Sequence, residues 1–91
     1  MPLLAELKGT KVRMWPFDHK PPHIHVKHAE HLARIEIMTG SLIDGYLPPR
    51  VRRRIVDWLD RCRKEILLRW QLASRGEGFG PIGEDCAEKG G

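Results

Sequence analysis

Apolar and polar residues alternate along the first half of the chain, and the alternation predicts strands. Val12 and Met14 fall on one face of Lys11–Trp15 and Lys11, Arg13 and Trp15 on the other, the period-2 pattern of a half-buried strand. A second strand is expected over about His23–His28 and a third over Leu32–Met38. Centring a hairpin on Ala29-Glu30 pairs Val26 with Ala33 and Ile24 with Ile35 on the core face. It sets His25 opposite Arg34 and His23 opposite Glu36 on the other face. A one-residue slip would bury charges, so the apolar pattern selects this register. Ala29-Glu30 is a poor primed turn, and a longer or bulged loop is expected there. Ser41–Asp44 reads as a short fourth strand closed by Gly45, whereas residues 1–10 are weakly patterned.

The period then changes. Leu47-Pro48-Pro49 opens a helix with proline in its tolerated first turn. Val51, Ile55, Trp58, Leu59, Cys62, Ile66, Trp70 and Ala73 recur at three- and four-residue spacing, an apolar stripe running to Gly76. The remaining faces carry Arg52, Arg53, Arg54, Asp57, Arg61, Arg63, Lys64 and Arg69. Residues 76–91 are glycine-rich, with Phe79 and Ile82 their main apolar groups, and read as a mostly flexible tail. The expected molecule is one α+β domain over residues 1–75, a small antiparallel sheet of three to four strands packed on one long C-terminal helix.

Charge adds a location to this picture. The net charge of +4 divides into +1 over residues 1–49, +6 over residues 50–75 and −3 over residues 76–91. The run Arg50-Val51-Arg52-Arg53-Arg54 opens the helix, where the macrodipole also favours anions. Arg50, Arg52, Arg53 and Arg54 are therefore the nucleic-acid-binding candidates, set against a solvated face partly neutralised by Asp57, Asp60 and Glu65. Cys62 and Cys86 show no disulfide-framework spacing, and reduced thiols in a cytoplasmic protein are expected. No apolar run approaches the roughly 20 residues that span a bilayer, so no membrane partner is expected. The Leu42-Ile43 edge could pair with a second copy in a homodimer, or with a partner protein.

The candidate chemistry lies in Asp18-His19-Lys20-Pro21-Pro22-His23-Ile24-His25. His23 and His25 are two apart on a strand and project to the same side. With Glu36 or Asp18 as an oxygen donor they could bind a divalent metal such as zinc. They could instead act as acid and base without a metal, which makes Asp18, His19, His23, His25 and Arg34 the catalytic candidates. A third reading has the histidines hydrogen-bonding the proline turn in a purely structural interaction module.

The same residues carry a resemblance. Gly9, Val12-Arg13-Met14, Asp18-His19-x-Pro21-Pro22-His23-Ile24-His25-Val26, Leu47-Pro48 and Trp70-Gln71-Leu72-Ala73 resemble the bacterial domain-of-unknown-function family 4160 over about residues 8–75. Two departures stand out. Pro16 follows Trp15, and His28-Ala29-Glu30-His31 replaces an aromatic-Gly-Glu-aromatic turn. The resemblance implies no assigned activity. It does imply a two-gene module resembling toxin–antitoxin pairs, with a small cognate protein from the neighbouring gene as partner, while RNA is the second partner that the basic helix and the histidines suggest. The alternatives are a metal-dependent hydrolase or nuclease built on the histidines and a non-catalytic interaction module.

Overall fold

The computed structural model describes residues 3–89, so the outermost residues of the expected domain and tail lie outside it. Five antiparallel strands form one sheet in chain order: β1 (Leu3–Leu7), β2 (Thr10–Arg13), β3 (His23–His28), β4 (His31–Glu36) and β5 (Leu42–Gly45). A 26-residue helix, α1 (Pro49–Ser74), lies against one face. The α+β class is as expected, but the sheet has five strands rather than three or four. The additional strand is β1. Its register shifts between Leu3 and Ala5, so Leu4 and Ala5 are both buried although adjacent. That irregularity erases the alternation by which a strand is recognised.

The β3–β4 hairpin has the register derived from its apolar residues: Ile24 pairs with Ile35, Val26 with Ala33, His25 with Arg34 and His23 with Glu36. Ile24, Val26, Ala33 and Ile35 join Val12, Met14 and Ile37 in a core closed by the α1 stripe, in which Trp58 is fully buried. The connection is tighter than the longer or bulged loop expected. His28 pairs with His31, leaving only Ala29-Glu30 between the strands, and Ala29 adopts φ 53 to make the turn. Gly45 meets a harder constraint: at φ 86, an added Cβ would lie 2.1 Å from the Leu32 carbonyl oxygen.

Three further expectations change at the C-terminal end. Residues 76–89, expected as part of a mostly flexible tail, lie back along α1 and β1. Ile82 is buried and donates its backbone N–H to Leu4, and the Trp58 indole donates to Gly83 at 3.0 Å. Arg69, placed by the sequence on a solvated face, is buried by this segment and donates to the Gly80 carbonyl at 2.8 Å and to Glu88 at 3.1 Å. Cys62 and Cys86, expected as reduced thiols, form a disulfide with Cα atoms 5.3 Å apart, because the returning chain brings residue 86 against the helix. At Cys62 the helix leaves its ideal geometry, with φ −110 and ψ 15. Among the described residues no helix is long and apolar enough to cross a membrane.

Two measurements follow from these contacts. In urea denaturation, Ala29→Gly stabilises the chain by about 1 kcal/mol by relieving the left-handed conformation, and Gly45→Ala destabilises it by about 2 kcal/mol or more. Equal effects of the two changes would contradict the turn and packing assignments. Reduction of Cys62–Cys86, which closes a 24-residue separation, lowers stability by about 3 kcal/mol on the chain-entropy account. A midpoint unmoved by reductant would mean that the segment adds no constraint.

Candidate functional site

The proline loop between β2 and β3 is tied down at both ends. The Phe17 N–H donates to the Ala73 carbonyl at the end of α1, and the Pro22 carbonyl accepts from Ile37 beyond β4. Gly76 follows the helix end at φ 75, a left-handed conformation suited to glycine. The loop so held carries Asp18 over the start of β3. There the two-residue repeat of the strand places His23 and His25 on the sheet face away from the helix.

One carboxylate oxygen joins the two rings. Asp18 Oδ2 lies 3.0 Å from His23 Nε2 and 2.9 Å from His25 Nε2. Only the His25 contact has hydrogen-bond alignment. Asp18 Oδ1 accepts the His19 backbone N–H at 3.0 Å, and His23 Nδ1 lies 2.7 Å from the Pro21 carbonyl oxygen. Side-chain exposure falls from 26 % at His25 to 15 % at Asp18 and 2 % at His23. Burial tends to raise the Asp18 carboxyl, but the His25 hydrogen bond, the electrostatic pull of the adjacent His23 imidazole and the His19 N–H together hold it below its ordinary value. Burial also dominates at His25, pushing it below its ordinary value against the opposing pull of Asp18.

The other candidates separate. The His19 side chain is 85 % exposed and 3.6 Å from Asp18 Oδ1, at the margin of the pair. Glu36 faces His23 in register but accepts a hydrogen bond from Thr39 at 2.6 Å and is not among the clustered donor atoms, which belong to Asp18, His23 and His25. Arg34 faces His25 in register, yet its guanidinium grips the Asp44 carboxylate in a bidentate pair. Asp44 is thereby held below its ordinary range. Sequence reasoning missed Asp44 because the bulge between Arg34 and Ile35 sets the β4–β5 pairing.

Beside the imidazole pair runs an open groove of about 720 Å³ on the outer face of the sheet, lined by Arg13, Trp15, His25, Lys27, Arg34 and Asp44 among others. Arg13 pairs with His25 across β2–β3, so Arg13, His25, Arg34 and Asp44 form one row over four strands. Trp15 meets the His25 ring edge-on at 5.5 Å between centroids. Arg50, Arg52 and Arg53 are exposed and Arg54 half-buried. Arg52 and Arg53 line a different groove, with Tyr46 and Val56, that shares no residue with the first.

The chain belongs to the family described as a domain of unknown function (DUF4160), which matches residues 9–71, more than half its length. The match takes in the Asp18–Val26 block and most of α1. No curated protein and no solved structure matches it.

The site sets a pH dependence. His25 is held below its ordinary value, so between that value and its folded one the unfolded chain binds the extra proton. In chelator-treated buffer, stability is therefore full above about pH 6.5 and falls as pH drops through the folded His25 value. Asp18, also lowered, adds a second loss below about pH 4. Denaturation midpoints measured between pH 7.5 and pH 3.5 should show both losses, and His25→Gln should remove the first. Identical profiles for the two proteins would contradict the assignment.

Proposed function

We propose that the chain is one component of a toxin–antitoxin-like pair and that it binds single-stranded RNA in the groove on the outer face of its sheet. The observation that carries the RNA reading is the cross-strand row of Arg13, His25 and Arg34, flanked by Lys27 and by Trp15 against the imidazole. Cations that track a phosphate backbone beside an aromatic ring that can stack a base are the two elements of sequence-tolerant single-strand recognition. The Arg34–Asp44 pair holds one guanidinium in place. Arg13 and Lys27 make no salt bridge among the described residues and supply the free positive charge.

A small cognate protein is the second partner of this reading. The two-gene arrangement implied by the family resemblance supports it. So does β5, whose outer edge pairs with no strand among the described residues and which leaves Ile43 exposed. Such an edge can accept a strand from another chain. The groove and this edge meet at Asp44 and Gly45, so a protein bound along β5 would also border the RNA path.

Fluorescence anisotropy with a short labelled RNA tests the reading. Binding should weaken with salt, with a slope of about −1.4 in log–log form for the two phosphates that Arg13 and Lys27 neutralise. Arg13→Gln with Lys27→Gln should weaken it about tenfold and flatten the slope, whereas replacing Arg52, Arg53 and Arg54 together should leave it in place. Loss of binding in the helix variant alone would move the site to α1. No salt-sensitive binding by the wild type would sink the RNA reading.

A further inference from the structure

We infer that Asp18, His23 and His25 form a binding site for a divalent transition-metal ion of the zinc type. A carbonyl oxygen can only accept, so the 2.7 Å approach of His23 Nδ1 to the Pro21 carbonyl puts the ring proton on Nδ1. Nε2 of the neutral ring is then a bare lone pair. It is buried and faces Asp18 Oδ2 at 3.0 Å, yet no hydrogen bond reaches it among the described residues. Two electron-rich atoms that close, away from water, call for positive charge between them. A second ring proton would supply charge, but an Nε2–H does not align with Oδ2. A cation bound by both atoms needs no such alignment with the oxygen.

The surroundings are those of a metal site. A ligating histidine characteristically donates its other ring N–H to a carbonyl or carboxylate, and ligating carboxylates are themselves hydrogen-bonded. Pro21 plays the first part for His23, and the His19 N–H plays the second by holding Asp18 Oδ1 and leaving Oδ2 toward the rings. The donor atoms of the three residues lie within 4.8 Å of one another. Side-chain adjustments of about an ångström would bring them to bonds of roughly 2.0–2.2 Å. His25 gives up its hydrogen bond to Asp18 on binding, its proton moving to Nδ1. Two imidazoles and a carboxylate suit zinc, iron(II), cobalt or nickel better than magnesium or calcium. Both cysteines are in the disulfide, so no thiol competes. With three protein ligands the ion keeps an open position, as catalytic rather than structural sites do. His25, the more exposed of the two histidines, also lines the groove.

The test uses the full chain, chelator-treated, with Zn²⁺ and Co²⁺ alone as probes and no RNA present, so its outcome is independent of the groove reading. Calorimetry should give one Zn²⁺ per chain, with a dissociation constant on the order of micromolar or tighter. Asp18→Asn and His25→Gln should each weaken it by at least about tenfold, the loss that even removal of a supporting partner can cause. His19→Gln and His31→Gln should leave it unchanged. Cobalt should give a visible d–d spectrum that Zn²⁺ displaces. Imidazole nitrogen NMR of the wild type needs no variant to fold: His23 Nε2 should be unprotonated before metal and shift with His25 on saturation. A protonated His23 Nε2 in the neutral free chain would overturn the inference. So would the absence of saturable binding, or binding that survives both Asp18→Asn and His25→Gln.

Discussion

The strict alternation of β3 is the constraint on which the rest depends. It is the central strand of five, and its side chains serve two incompatible environments at once. Ile24 and Val26 point into the core under α1, while His23 and His25 point to the outer face. A slip of one residue would put imidazoles against Trp58 and isoleucine into the groove, so core and site are specified by the same register. Fully burying an aliphatic side chain stabilises by about 1.5–3 kcal/mol, so Ile24, Ile35 and Val26 together hold the histidines in place far more firmly than the histidines' own contacts do. The site is in this sense a by-product of the core.

That logic also explains what could be read from the sequence. Where apolar residues recur at a fixed period the structure followed them, as in the β3–β4 register and the stripe of α1. Departures arose where the backbone itself breaks a period. The bulge in β1 buries neighbours on one strand and so hides it, and the bulge between Arg34 and Ile35 sets Asp44 against Arg34. Ala29 takes a left-handed conformation that its residue type disfavours because twelve flanking residues, in six cross-strand pairs, hold the hairpin on either side. Local turn chemistry was overridden by the cross-strand pairs.

The C-terminal segment illustrates a different blind spot. Its glycines and acidic residues carry no period, so composition alone reads as a loose tail. What fastens it is scattered and long-range: Ile82 in the core, the Trp58 indole on Gly83, Arg69 on Gly80 and Glu88, and Cys86 on Cys62. Each partner lies on α1 or β1, far away in sequence. The burial of Arg69 follows directly, since a guanidinium under this strap is matched by two carbonyls and two carboxylates rather than by water. The strap also meets the β1 edge through the Ile82 N–H to Leu4 hydrogen bond, whereas the outer edge of β5 pairs with no strand among the described residues.

The oxygen donor of the histidine cluster turns on the difference between register and reach. Glu36 was a reasonable candidate because it faces His23 across the hairpin, but a cross-strand neighbour need not direct its charged tip at its partner. Its carboxylate is taken by Thr39 in the following turn. Asp18 is five residues before His23 and belongs to no strand, yet it arrives because Phe17 is tied to the helix end and Pro22 to Ile37. A short aspartate on a loop fixed at two points loses little further freedom on meeting the rings, whereas the longer Glu36 would have to order its whole side chain. The same pinning brings the Pro21 carbonyl to His23 Nδ1, and with it the tautomer that leaves Nε2 bare. Loop anchoring at Phe17 and at Pro22 therefore decides which nitrogen of His23 keeps its lone pair.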